Sequence, residues 1–447
     1  MRNLTKEALN QYIEMGDGSC RLNRGIFTDP DLFELEMKLI WERTWVFLGH
    51  ESQLAKKGDY FTTTIGRQPI VVSRDMKGKV GGFLNVCTHR GAKLCRLSAG
   101  NSKMLVCPYH GWTFGLDGEL LAVKDEASGA YPPSFDKKAL GLTHVAHVET
   151  YRGFIFGNLD PDPVPLVTHL GNIAIWIDLL VDQAMNGWEV LKGTSTYLYH
   201  GNWKLQAENG VDGYHAPSVH WNFNATLKNR QESNAAGEKI KAMKLVVGAN
   251  NDLKGGYYEL GYGSSVIWRD WINPEDRFNY VLRDELVQRK GEAWTKWAIG
   301  RLRNVLVYPN LLLMDQMSTQ LRIIRPISVD KTEVTIFGFA PVGEPAEQRR
   351  QRIRAYEDFF NASGMATPDD LAEFNFAQEA FKGTQSPWSE LSRGAQRQIK
   401  GADEHAKELS INPLSSGRWT EDEGAIIGQY QFWLDKMIEG LEQSSHV

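Results

Sequence analysis

Cys87-Thr88-His89-Arg90-Gly91 and Cys107-Pro108-Tyr109-His110-Gly111-Trp112 are the two stretches on which the reading of this chain turns. The first is C-x-H, the second C-x-x-H, and residues 90–106 separate His89 from Cys107. Each half offers one thiolate and one imidazole. Gly91, Pro108 and Gly111 favour tight backbone turns, so each half reads as a loop. Around them run short β-rich segments (60–65, 69–73, 80–86, 104–106 and 154–157) separated by glycine-containing turns. That alternation predicts an all-β module in which two hairpin tips bring the four side chains together.

Two metals fit such a donor set. A single zinc would take all four ligands tetrahedrally, whereas a Rieske-type [2Fe–2S] cluster would take both cysteines on one iron and both histidines on the other. Zinc sites usually contain C-x-x-C or H-x₃₋₅-H halves; this sequence has neither, which favours the cluster. Only Cys20 and Cys95 remain, too few for a disulfide scaffold.

Outward from the loops, the chain divides into an N-terminal helical segment 1–44, a β module 45–160 and a second domain 166–447. The proline-rich run Asp160-Pro161-Asp162-Pro163-Val164-Pro165 marks the second boundary. Thr28-Asp29-Pro30 is a helix-start signal for a helix over 30–45. In the second domain the pattern predicts helices over 169–185, 347–360, 368–381 and 421–443, and strands over 191–200, 305–314, 321–325 and 334–340. The fold class is therefore α+β.

A second constellation lies at Asn202-Trp203-Lys204 and Glu208-Asn209-Gly210-Val211-Asp212-Gly213-Tyr214-His215, continuing to His220. Asp212 and His215 share a face if this segment is helical, and Pro217 would end that helix and let His220 turn back. Two histidines and one carboxylate form the facial triad of non-haem Fe(II) oxygenases, which leaves positions open for O₂. The alternative is a helix end with two surface histidines. The third ligand must come from a distant carboxylate. Thr367-Pro368-Asp369-Asp370 also has a capping-box reading, with Thr367 as N-cap and Asp370 three residues on.

These motifs resemble the large (alpha) subunits of aromatic-ring-hydroxylating Rieske non-haem iron dioxygenases, over nearly the whole chain. The resemblance implies an all-β Rieske domain followed by a helix-grip catalytic domain with a curved antiparallel sheet. It makes Cys87, His89, Cys107 and His110 the cluster ligands and His215, His220 and Asp370 the iron ligands. Asp212 becomes the bridge to the Rieske histidine of a neighbouring subunit, and Asn209 a polar residue near the iron. Respiratory Rieske proteins carry an extra cysteine in each loop and a serine after H-G; here those places hold Ala92, Tyr109 and Trp112. Fewer hydrogen bonds to the cluster should lower its potential.

Glu208–His215, Gly364-Met365-Ala366-Thr367-Pro368-Asp369-Asp370 and Asn273-Pro274-Glu275-Asp276-Arg277 are most similar to the benzoate, anthranilate and aniline dioxygenase group. That resemblance implies a small beta subunit, electrons from NADH through a reductase (alone or with a ferredoxin), an α3β3 or α3 assembly, and a role in aromatic catabolism. Val211 and Ala216 beside the ligands, and Leu312 and Met314 on one strand face, are candidate pocket residues. Arg269 is a candidate partner for a substrate carboxylate. Arg349, Arg350, Arg352 and Arg354 read as a solvated helix face.

Among 447 residues, 50 are Lys or Arg and 55 Asp or Glu, so the net charge is −5. Spread along the chain, this mild acidity argues against a nucleic-acid partner. No apolar run approaches membrane-spanning length, and residues 1–10 lack a signal-peptide core, so a cytoplasmic protein is expected. Two rivals share much of the pattern: a Rieske monooxygenase of the salicylate-hydroxylase type, and a Rieske electron carrier without oxygenase activity.

Overall fold

The computed structural model describes residues 4–232 and 254–444. Two compact units emerge: Ile40–Leu166, and Met1–Leu39 together with Val167–Val447. No helix of the described residues is long and apolar enough to cross a membrane.

The unit Ile40–Leu166 is built from short antiparallel strands. Val80–Leu84, Gln68–Arg74, Asp59–Ile65 and Ala99–Asn101 form one sheet in that order. His147–Tyr151, Phe154–Asn158 and Val46–His50 form a second, and Leu120–Ala122, Thr113–Gly115 and Met104–Val106 a third. Phe83, Leu94, Leu105, Trp112, Phe114 and Leu142 pack into one core together with Cys87, Cys95 and Cys107. The cysteine loops are thus seated on a rigid apolar base.

The other unit is organised by a ten-stranded antiparallel sheet. Its order is Trp188–Val190, Lys331–Pro341, Thr319–Ser328, Leu311–Asp315, Arg301–Val307, Ser264–Asp270, Gly255–Gly261, Ser415–Gly417 and Ile399–Lys400, with Ser195–Tyr199 also pairing to Lys331–Pro341. Register pairs Leu312 with Leu306 and Arg322, and Met314 with Asn304 and Gln320. Directly opposed residues share a face, so all six stand on one side of the sheet. Two helices cover that side. Gly210, at the end of helix Trp203–Asn209, rests on Leu312, and Gly428 of helix Gly424–Ser444 rests on Glu259. The opposite side is packed by Trp268 and Trp297, whose ring centroids are 4.7 Å apart, and by Trp176. This is the α+β class expected from the sequence pattern and the helix-grip arrangement that the family resemblance implies.

Several local expectations need correction. Segment 305–314 is two strands, Arg301–Val307 and Leu311–Asp315, paired as a hairpin with Tyr308-Pro309-Asn310 between them. Both strands are buried, so the apolar run conceals the turn. The helix expected over 169–185 is interrupted by Gly171-Asn172-Ile173, and the strand expected over 191–200 is confined to Ser195–Tyr199, after a turn with Gly193 at φ +96°. The N-terminal segment is not only helical: Ile13–Met15 and Cys20–Asn23 form a three-stranded sheet with Trp388–Leu391. Arg352 is buried, where the sequence suggests a solvated face; it pairs with Glu344 at 2.6 Å and donates to the Thr319 hydroxyl.

Candidate metal centres

Loop 87–92 and loop 107–112 repeat one backbone design. Cys87 N donates to the Ala92 carbonyl and Gly91 N to the Cys87 carbonyl, at 2.8 and 2.9 Å. Cys107 N donates to the Trp112 carbonyl and Gly111 N to the Cys107 carbonyl, at 2.7 and 3.0 Å. Gly91 and Gly111 sit at φ +74° and +75°. A Cβ at either would meet nothing within 4 Å, so glycine is required by conformation and not by crowding. Asn85 braces the base of the first loop, accepting from Cys95 N at 2.7 Å and donating to the Cys95 carbonyl at 2.8 Å.

The four donors converge as two pairs. The imidazoles of His89 and His110 lie 4.7 Å apart, and His89 stacks on Trp112 at 4.7 Å and 10°. Burial pushes the Cys87 thiol up, and the adjacent Cys107 sulfur adds to the rise. His89 Nδ1 is buried with no hydrogen-bond partner. An orphaned ring nitrogen beside a second imidazole and two neighbouring sulfurs fits the donor set of a Rieske [2Fe–2S] cluster. Cys95 is a bystander: burial holds its thiol at about 11, and its backbone serves Asn85.

The second site begins with the anchoring of helix Trp203–Asn209. Asn202 is its N-cap, accepting from Lys204 N. Trp203 Nε1 and Lys204 Nζ reach the buried Glu36 carboxylate at 2.9 and 2.5 Å, and Trp433 Nε1 reaches it at 2.8 Å. Asn202-Trp203-Lys204 is therefore a structural clamp. Glu36 is betrayed in the sequence only by its place as the one acid within the apolar stripe Leu32, Phe33, Met37, Ile40, Trp41 at helical spacing.

The helix stops at Asn209, so Asp212 and His215 do not share a helical face. A turn brings them together instead. Asp212 Oδ1 accepts from Tyr214 N at 2.6 Å, and Asp212 Oδ2 lies 3.0 Å from His215 Nδ1. Pro217 does not end a helix either; it occupies the first turn of the short helix Ala216–Val219, which His220 closes. Asp370 lies in helix Thr367–Ala380. The expected capping box is absent: Ala366 is the N-cap, and the Thr367 hydroxyl donates to the Phe360 carbonyl at 3.0 Å. The Asp370 carboxylate is thereby left to the two histidines.

Asp370 Oδ1 lies 3.3 Å from His220 Nε2 and 3.5 Å from His215 Nε2. One potential ligand atom from each of the three lies within 4.8 Å of the others. Asn209 Nδ2 sits 3.2 Å from both His215 Nε2 and Asp370 Oδ1. Burial pushes His215 down, but the Asp212 hydrogen bond and the Asp370 charge outweigh it, and the net shift is upward. Burial dominates at His220, whose shift is downward. With Nδ1–H of His215 given to Asp212, its Nε2 lone pair faces the carboxylate. His220 Nδ1 is buried with no hydrogen-bond partner. Two imidazoles converging on one carboxylate is a donor set that suits Fe(II).

Of the expected pocket residues, Val211, Leu312 and Met314 are buried, and Leu312 packs under the chain at Gly210. Ala216 is half-buried directly after His215. Arg269 lies on strand Ser264–Asp270, where Glu421 supplies an opposing charge. Asn273–Arg277 serves the fold: Arg277 donates to the Ile299 carbonyl at 2.6 Å and to Asp315 at 3.0 Å.

One unit thus presents an iron–sulfur cradle and the other a mononuclear metal triad, which together define a Rieske non-haem iron oxygenase component. Residues 44–147 match the Rieske [2Fe-2S] domain, and residues 187–408 match the ring hydroxylating alpha subunit (catalytic domain). The chain is 48% identical to the toluate 1,2-dioxygenase subunit alpha of Pseudomonas putida, over 96% of this chain and 93% of that one. It is 45% identical to the 2-halobenzoate 1,2-dioxygenase large subunit of Burkholderia cepacia, over 100% and 95%. The solved structure of naphthalene 1,2-dioxygenase with indole bound in the active site superimposes with a TM-score of 0.83 at 28% identity, covering 97% of this chain and 95% of that one. The chain belongs to the ring-hydroxylating dioxygenase alpha subunits, oxidoreductases that carry a Rieske cluster and a mononuclear iron.

Proposed function

We propose that this large subunit dioxygenates a single aromatic ring bearing a small polar substituent, of the benzoate, anthranilate or aniline kind. The convergence of His215, His220 and Asp370 in a chain that also holds a Rieske cradle carries the reading. Relatives named for toluate, 2-halobenzoate and anthranilate support it, all of them single rings with a carboxylate. The net reaction joins both atoms of O₂ to adjacent ring carbons. Two electrons and a proton come from NADH as hydride, and a second proton from solvent.

When bound, the mononuclear iron supplies an O₂ site and the cluster supplies electrons one at a time. The chain's own residues do the rest. His215, His220 and Asp370 would hold the iron, and Cys87, Cys107, His89 and His110 would hold the cluster. Asp212 fixes the tautomer of His215 and, with its side chain 25% exposed, is available to the Rieske histidine of a neighbouring subunit. Asn209 donates into the site between His215 and Asp370. Val211, Ala216, Leu312 and Met314 form the apolar wall that excludes water from the ring. A small beta subunit, a reductase with or without a ferredoxin, an α3β3 or α3 ring and the cytoplasmic NADH pool complete the system.

The test is turnover of benzoate, anthranilate and aniline by the reconstituted holoenzyme with reductase, NADH and ¹⁸O₂. A cis-diol carrying two labelled atoms is expected. A phenolic product carrying one would make the enzyme a monooxygenase instead.

A further inference from the structure

Among the described residues the catalytic unit buries five arginine side chains almost completely: Arg277, Arg301, Arg303, Arg322 and Arg352. Four have carboxylate partners, Arg277 among them at 3.0 Å from Asp315. Arg301 pairs with Asp270 at 2.8 Å and Glu408 at 3.1 Å, Arg303 with Asp315, and Arg352 with Glu344 at 2.6 Å. Arg322 makes no ion pair among the described residues, and its Nη2 is buried without a hydrogen-bond partner. Its Nε reaches only the Gln320 side-chain oxygen at 3.4 Å, and its guanidinium sits 4.8 Å from the Phe360 ring centroid. A buried cation with no counter-charge is strongly unfavourable unless a ligand supplies one.

The surroundings ask for the same kind of guest. Arg322 stands opposite Leu312, on the sheet face that also carries Met314, Gln320 and Asn304. Helix Trp203–Asn209 covers that face, and its Gln206 accepts from the Tyr197 hydroxyl at 2.6 Å. The Tyr197 hydroxyl is also hydrogen-bonded by the Arg322 side chain, a neutral partner that leaves the charge unbalanced, and it lies within the electrostatic reach of Asp370. Gln320 Nε2 and Gln206 Nε2 are buried donors without partners, as is Arg322 Nη2. Three unpartnered N–H groups, one of them cationic, await an acceptor-only group, and a carboxylate is such a group. Phe360, under the Arg322 guanidinium, packs 4.4 Å from Phe359, whose ring lies 5.6 Å from that of His220, so an anion held by Arg322 lies at the iron's side of the unit.

We propose that Arg322 anchors the carboxylate of the substrate, with Gln320 and Gln206 as supporting donors, and so makes the enzyme select aromatic carboxylates over neutral rings. This rests on the single-ring reading of the same site. It replaces Arg269, which has Glu421 opposing it. Among the rings named above, benzoate and anthranilate then become substrates and aniline a poor one.

The experiment compares benzoate with nitrobenzene, its neutral near-isostere, in reconstituted wild type, Arg322→Met and Arg322→Lys. Arg322→Met should lose about 100-fold in kcat/KM on benzoate, equivalent to about 2.8 kcal/mol at 1.4 kcal/mol per tenfold, and far less on nitrobenzene. Arg322→Lys should fall between, because it keeps the charge and loses the fork. Benzoate should raise the thermal midpoint of wild type and not of Arg322→Met, while iron content and the visible cluster spectrum stay equal. Equal losses on both substrates, or iron lost from Arg322→Met, would show that Arg322 balances Asp370 and would overturn the proposal. Wild type that prefers nitrobenzene also overturns it, with the single-ring reading intact. Benzoate that protects wild type through Arg322 without being turned over would sink the single-ring reading and keep the anchor.

Discussion

Glu36→Leu should destabilise the unit that carries the iron triad by about 5 kcal/mol. Glu36 is 1% exposed and accepts three hydrogen bonds, from Lys204 Nζ at 2.5 Å, Trp433 Nε1 at 2.8 Å and Trp203 Nε1 at 2.9 Å. Leucine leaves the Lys204 cation buried and unpaired, which costs about 3–5 kcal/mol. Each orphaned indole N–H adds about 1–3 kcal/mol. The sum is an upper bound, because burial already lowers the Lys204 pKa and a lone Lys204 can shed its proton. A loss of about 5 kcal/mol exceeds the roughly 0.5–3 kcal/mol of most substitutions. At about 2–4 °C per kcal/mol it lowers the thermal midpoint by roughly 10–20 °C. Calorimetry of the holoenzyme, with iron assayed alongside, reads both stability and the integrity of helix Trp203–Asn209. The double variant Glu36→Leu/Lys204→Met should recover about half of the loss, since apolar groups replace a buried ion pair at little cost. A single variant within about 1 kcal/mol of wild type would refute the clamp. So would a double variant whose loss equals the sum of the two single ones.

Other outcomes follow from the same geometry. Burial raises Glu208 from 4.5 to about 7, against the Tyr430 hydroxyl and Lys204, with Asp212 and Glu423 adding to the rise. The native state then keeps a proton that the unfolded chain releases, so stability declines as pH climbs from about 4.5 to about 7 and levels off above. The decline is of order 3 kcal/mol at 1.36 kcal/mol per pKa unit, and Glu208→Gln should flatten it; denaturant midpoints from pH 5 upward that are identical in both proteins would contradict this. Gly111→Ala should cost about 1–2 kcal/mol and keep the cluster spectrum, because only the left-handed conformation resists; loss of the cluster would mean that the loop is crowded after all. Asp212→Asn should slow turnover by about 10–100-fold with the cluster spectrum unchanged, and single-turnover reoxidation of the cluster at the wild-type rate would remove its role. Asp370→Asn should weaken iron retention, and unchanged iron content would argue against ligation.

What the sequence made legible is what short-range spacing encodes. Loops 87–92 and 107–112 close because glycine permits a positive φ at Gly91 and Gly111, and both positions are visible in the motif. The β-rich alternation likewise marks the strands around them. Longer-range features were hidden. The Asp212–His215 contact needs a turn where the spacing also suits a helix. Asp370 carries a helix-cap reading beside the ligand one until the Thr367 hydroxyl is seen to bond Phe360 instead. Strand Cys20–Asn23 pairs with Trp388–Leu391, a contact that no local pattern announces. Arg322 and Arg269 cannot be ranked from sequence, because what separates them is whether a carboxylate happens to be near.

The central claim is that one chain holds two unlike iron centres on separate folded units. Iron and acid-labile sulfide, counted in the reconstituted protein and in His215→Ala, test it most directly. The account predicts about three irons per two sulfides in wild type, and about two per two in the variant with its cluster absorbance intact. Equal iron in the two proteins, or a cluster lost together with His215, would contradict it.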